Sequence, residues 1–120
     1  MSESSASGLD IPLDLVHLAR QCLGDHELEA ELLGLFRLQA QSMTARLSDS
    51  ALSLESKAKI AHKLRGSALA VGARRVAGAA GRIEELALAA GDQRSAEAGA
   101  VAALLSAVAE ALAEIERIRG

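Results

Sequence analysis

The chain has 120 residues, 50% of them hydrophobic, yet aromatics make up only 1%, with Phe36 alone and no Trp or Tyr. Its net charge of −3 comes with no basic run, so there is no electrostatic footprint for nucleic acid. No uninterrupted apolar run approaches the roughly 18 residues that span a bilayer. This length accommodates one domain, and a core limited to Leu, Ala, Val and Ile, with a single proline, predicts an all-α fold.

In chain order, residues 1–8 are polar and read as a disordered tail. They lack the basic and apolar parts of a signal peptide, so a cytoplasmic protein is expected. The folded domain is expected over residues 9–120. Pro12 suits the first turn of a short helix, in which Leu15, Leu18, Ala19 and Cys22 recur at helical spacing and Gly24 is the stop. Cys22, the only cysteine, has no internal disulfide partner and reads as a packing residue. Asp25 then caps a helix from about His26 to about Arg46. Its expected inner stripe is Leu28, Leu32, Leu35, Phe36, Gln39, Met43 and Leu47.

A polar connection from Ser48 to Ser53 leads into a helix that holds His62 and ends at Gly72. The next helix starts near Ala73, turns Val76, Ala80, Ile83, Ala87 and Ala90 inward, and stops at Gly91. Gly78 and Gly81 within it cost roughly 1 kcal/mol each in helix propensity, and the expected return is a close approach to a neighbouring backbone. Asp92 caps the last helix, whose apolar face is Val101, Leu104, Leu105, Val108, Leu112, Ile115 and Ile118. Short connections between long helices predict an up-and-down antiparallel four-helix bundle with an additional short N-terminal helix.

The stretch from His62 to Gly72 is the most informative. Ala61, Leu64, Ala68 and Val71 follow the 3.6-residue period and face a core. His62, Arg65, Gly66 and Leu69 fall at i, i+3, i+4 and i+7 and share a different, outward stripe. A histidine is thereby presented with a cation on one flank and open space on the other. His17 and His26 have no such surroundings and read as structural or solvent-facing.

This stretch resembles the signature of histidine-containing phosphotransfer (Hpt) domains, the intermediate carriers of phosphorelays. His62, Leu64, Arg65, Gly66, Ser67, Ala68, Val71, Gly72 and Ala73 meet the family pattern without a gap. The resemblance implies reversible phosphoryl transfer between receiver-domain aspartates through a phosphohistidine at His62. It also implies response-regulator receiver domains and a hybrid histidine kinase as partners, a monomeric state, no cofactor on this chain, and magnesium only on the receiver. Gly66 would leave room for a receiver's aspartyl phosphate, and Arg65 would neutralise the transferring group through bidentate contact.

One ring nitrogen attacks phosphorus while the other is held protonated by an acceptor. If the helical hairpin turns near Ala73, His62 lies eleven residues before the turn and Glu84 eleven after it, at a similar height. The family often has a glutamate or glutamine at this spacing, so Glu84 is the candidate for orienting the ring. A second basic residue about one turn later is common in the family; Leu88 stands there, with Arg82 as a substitute. Lys63 is expected to meet the partner electrostatically. Leu69 would belong to an apolar docking ring. Arg74 and Arg75 read as solvated residues near a helix start.

Other classes lack their motifs. The histidines are dispersed, no Cys-x-x-Cys occurs, and neither a P-loop nor a glycine-rich phosphate loop is present. The chain is therefore expected to be a carrier rather than an enzyme, and to receive its phosphate from elsewhere. The alternative is a helical adaptor that binds signalling partners without phosphate chemistry.

Overall fold

A computed structural model describes residues 11–119; the proposed tail at 1–8 lies outside the described residues. Among the described residues five helices follow one another: α1 (Leu15–Gln21), α2 (His26–Leu47), α3 (Leu54–Ala70), α4 (Arg74–Leu88) and α5 (Arg94–Arg119). No strand occurs among the described residues. Helix α3 packs on α4, α4 on α5, and α2 closes the ring against α3 and α5, while α1 lies across one end. The fold is the expected all-α bundle with a short leading helix.

Side-chain caps set the helix starts. Asp14 accepts from the His17 N–H, Asp25 from Leu28 and Ser53 from Ser56, each satisfying an amide that a first turn leaves without a partner. Pro12 thus lies before the cap of α1 rather than in its first turn. The α3–α4 turn is a Schellman motif: Ala73 N–H donates to Ala68 O (2.8 Å) and Gly72 N–H to Leu69 O (3.3 Å). Gly72 holds φ +77°, and a Cβ there would meet Asp14 O at 2.8 Å. Glycine is required on both counts.

Helix α1 is fastened over this turn. Asp14 N–H donates to Gly72 O (2.9 Å), Arg74 pairs with Asp14 (2.8 Å), and His17 Nε2–H donates to the Leu69 carbonyl (3.0 Å). Arg74 is thereby a structural tie rather than a solvated side chain, and Arg75 is likewise engaged, with Glu110.

The core runs from Leu18 and Cys22 through Phe36, Leu64, Val76 and Ile83 to Leu104 and Ile115. Each such large side chain contributes roughly 1.5–3 kcal/mol on burial. Several expected inward positions differ. In α2 the buried residues are Leu33, Phe36, Ala40 and Leu47, while Leu28, Leu35 and Gln39 are exposed. Leucines surround that helix, and the small Ala40 fits against the bundle where Gln39 would leave its amide without partners. Leu15 is exposed in α1.

Helix α4 ends at Leu88, before Gly91, which leaves Ala90 exposed and brings Leu86 into the core. Gly78 and Gly81 make no close helix contact, since Ala77 and Ala80 occupy the buried side. Lys57, only 7% exposed, pairs with Glu97 at 2.6 Å and ties α3 to α5.

The stretch Arg94–Ile118 is long and apolar enough, by length and composition, to cross a membrane. No uninterrupted run reveals this, because Glu97 and Glu110 divide it. Its Leu104, Val108, Ala111 and Ile115 are packed in the bundle core.

Candidate functional site

The α3–α4 hairpin brings His62, Arg65 and Glu84 into direct contact. His62 sits in the middle of α3 with its side chain 67% exposed, because Ala61 and Leu64 on either side of it take the core face. Glu84 lies between the buried Ile83 and Leu86 of α4, which turns its carboxylate along the groove toward α3. One oxygen, Oε2, lies 2.8 Å from His62 Nδ1, and the other, Oε1, accepts from Arg65 Nε at 2.6 Å. Arg65 Nη2 also stands 3.4 Å from Nδ1. Two donors cannot share a hydrogen bond, so Nδ1–H points to the nearer carboxylate. Nε2 has no hydrogen-bond partner among the described residues.

The electrostatics hold this arrangement in place. Burial pushes the Glu84 carboxyl up, but hydrogen bonds from His62 and Arg65, with the charge of Arg65, outweigh it and leave the group below its ordinary range. Glu84 is therefore an anion at neutral pH. An anion on Nδ1–H selects the tautomer whose Nε2 carries a free lone pair and faces solvent. It would also compensate a positive charge forming on the ring.

Arg65 differs from the sequence expectation in one respect. Its guanidinium is engaged by Glu84 rather than standing free beside His62. The stem of Arg65 passes beside Gly81, where a Cβ would lie in ordinary contact at 3.7 Å from Arg65 Cδ. Gly66 is exposed and a Cβ on it would meet nothing within 4 Å, so the flank of His62 toward the hairpin turn is open.

The remaining sequence candidates are spread around this centre. Leu69 is exposed but lies seven residues from His62, about 10 Å along the helix. It lines a groove with Arg65, Arg74 and Gly78 rather than touching the imidazole. Lys63 points to the other side and, with Lys59, borders a hollow that also contains His62, Glu84 and Leu88. Arg82 pairs with Glu85 and does not reach His62. The position one turn beyond Glu84 is Leu88, 90% exposed, which supplies no second cation there. Lys59 escaped the sequence reading, although its position at i−3 places it on the histidine's own stripe. His17 is bonded within the fold, and His26 lies in solvent near Glu29.

A family model for the Hpt domain matches residues 31–118, about three-quarters of the chain and all of α3, α4 and the site they form. The chain belongs to the Hpt domain family. Hpt domains are phosphocarrier modules of two-component signalling rather than kinases, and they interact with receiver domains and histidine kinases. Helix α1 of this Hpt domain lies outside the matched segment. Comparison with curated proteins and with solved structures returns no match.

Proposed function

We propose that this Hpt domain relays a phosphoryl group between receiver-domain aspartates, with His62 Nε2 as the carrier atom. The observation that carries the reading is the 2.8 Å contact of Glu84 with Nδ1, which leaves Nε2 as the nucleophile. The Nε2 lone pair attacks phosphorus, the N–P bond forms as the P–O bond of the aspartyl phosphate breaks, and the aspartate leaves as a carboxylate. Nδ1 keeps its proton throughout, and Glu84 balances the cationic ring.

Arg65 supplies positive charge at the edge of the transferring group while one of its donors stays on Glu84. Gly66 keeps the approach clear. The reverse reaction delivers the group to a second receiver. Positioning and electrostatics suffice for such a transfer. Among the described residues the one carboxylate in contact with His62 is already shared with Arg65, so we assign the divalent cation to the receiver. A hybrid histidine kinase stands upstream, and the carrier works as a cytoplasmic monomer.

The test is transfer from a purified receiver domain phosphorylated with acetyl phosphate, with His62→Gln in parallel. Label that is acid-labile and base-stable on the wild type, and absent from the variant, supports the relay. A helical adaptor without phosphate chemistry would give no label on either protein, yet both would bind the same partners.

A further inference from the structure

We propose that a lysine ridge, Lys59 and Lys63, together with the apolar hollow between that ridge and Leu88, selects which receiver exchanges phosphate with His62. The surface fits a receiver that carries an aliphatic side chain flanked by carboxylates beside its phosphorylated aspartate. This inference rests on the relay reading above and adds the chemistry of the partner.

Three observations converge. The first is the hollow itself, about 510 Å³, which contains His62 and Glu84 and is floored by Ala58, Ala87 and Leu88. Leu88 is 90% exposed. A lone surface leucine is ordinary, but this one sits beside the transfer atom with two alanines around it, where an incoming aliphatic group gains contact area.

The second observation is charge. On the α3–α4 face each arginine already has a carboxylate partner: Arg65 with Glu84, Arg74 with Asp14, Arg75 with Glu110 and Arg82 with Glu85. Lys59, Lys63 and the nearby Arg46 make no ion pair with any of the described residues. Among the described residues Arg20 on α1 and Arg37 on α2 are unpaired too, but on the α3 side of the site the cations without a partner, Lys59, Lys63 and Arg46, stand on one flank of the histidine.

The third is continuity. Lys59 and Lys63 also border a second, smaller hollow of about 180 Å³ between α2 and α3, floored by Met43 and Ile60 and closed by Arg46. The ridge is therefore cationic with apolar ground on both sides.

Any receiver that brings an aspartyl phosphate to Nε2 lays its surface over the larger hollow, because His62 is part of its wall. Carboxylates opposite the ridge speed encounter and fix orientation, whereas basic residues there meet like charge and are rejected. The selection is therefore carried by the ridge and Leu88, while the chemistry stays with His62, Glu84 and Arg65.

The experiment uses a panel of purified receiver domains, phosphorylated with acetyl phosphate, that differ in net charge around the aspartate. Transfer to wild type, Lys59→Glu/Lys63→Glu and Leu88→Ser is measured against receiver concentration. Each rate is divided by that protein's own labelling by phosphoramidate, which reaches the imidazole without a receiver. Acidic-rimmed receivers are expected to serve the wild type best. The charge reversal should raise their half-saturating concentration about tenfold or more and move the preference toward basic-rimmed receivers. Leu88→Ser should raise half-saturation whatever the rim charge.

All three residues are exposed, so the variants are expected to fold, and circular dichroism verifies it. Half-saturation unchanged by the charge reversal, with phosphoramidate labelling intact, overturns the inference and leaves the relay standing. Failure of phosphoramidate and of every receiver to label the wild type overturns the relay reading instead.

Discussion

Replacing Glu84 by glutamine removes one charge and changes the tautomer problem at His62. The carboxylate accepts at 2.8 Å from Nδ1 and at 2.6 Å from Arg65 Nε. Hydrogen bonds to an ionised group contribute about 1.5–3 kcal/mol each. His62 is 67% and Glu84 23% exposed on their side chains, so solvent screening favours the low end, about 1.5 kcal/mol for the bond to the ring. The charge-assisted part of this bond develops only as the ring becomes cationic during attack, so at 1.36 kcal/mol per decade losing about 1.5 kcal/mol of it slows attack by roughly tenfold.

The amide adds a second effect. It can turn its NH₂ toward Nδ1, which favours the Nε2–H tautomer and occupies the nucleophilic lone pair. The assay is the initial rate of His62 labelling by phosphoramidate, with ¹⁵N chemical shifts of the ring as a direct readout of the tautomer. Glu84→Gln should label about tenfold more slowly or worse, and the wild type should show a protonated Nδ1. A variant within twofold of the wild type, or a wild-type ring protonated at Nε2, would refute the reasoning.

Other outcomes follow from the same geometry. Gly66→Ala should raise stability by about 0.5–1 kcal/mol through helix propensity, since its Cβ meets nothing; Gly66→Gln should fold but accept phosphate from receivers far more slowly than from phosphoramidate, and equal losses from both donors would remove the steric argument. Gly72→Ala should cost about 1–2 kcal/mol from the left-handed backbone alone, and more from the 2.8 Å approach to Asp14 O, read as the denaturant midpoint; an unchanged midpoint would contradict the clamp of α1. The Glu84 carboxyl is held low against burial by His62 and Arg65, and that of Asp14 by the His17 N–H and then Arg74. Depressed carboxyls give stability that is complete above their unfolded values near 4 and is lost as pH falls through the folded ones. The urea midpoint should therefore drop below about pH 4, and a rise on acidification from pH 5 to 3 would oppose this assignment.

What the sequence disclosed follows from how local each feature is. His62, Arg65 and Gly66 share one helix, so their common stripe needs only the 3.6-residue period. Glu84 needed one further step, counting outward from a turn that Gly72 marks. The engagement of Arg65 by Glu84 was beyond that reach, because rotation of α4 decides which atoms meet. The inner stripe of α2 was misplaced at Leu28, Leu35 and Gln39 because that helix has leucines on nearly every side, and only the packed bundle singles out Leu33 and Ala40. Lys57 gave no sign of its burial, since its partner Glu97 lies forty residues away. The hold of α1 on the α3–α4 turn, through Asp14 and His17, is likewise a contact between distant segments.

The most direct measurement is to locate the phosphoryl group itself. Wild-type protein labelled from a phosphorylated receiver is examined by ³¹P NMR and by site-localising mass spectrometry under alkaline conditions, beside His62→Gln. One phosphoryl group is expected, on Nε2 of His62, and none on the variant. A group on Nδ1, on another residue, or on His62→Gln would contradict this assignment.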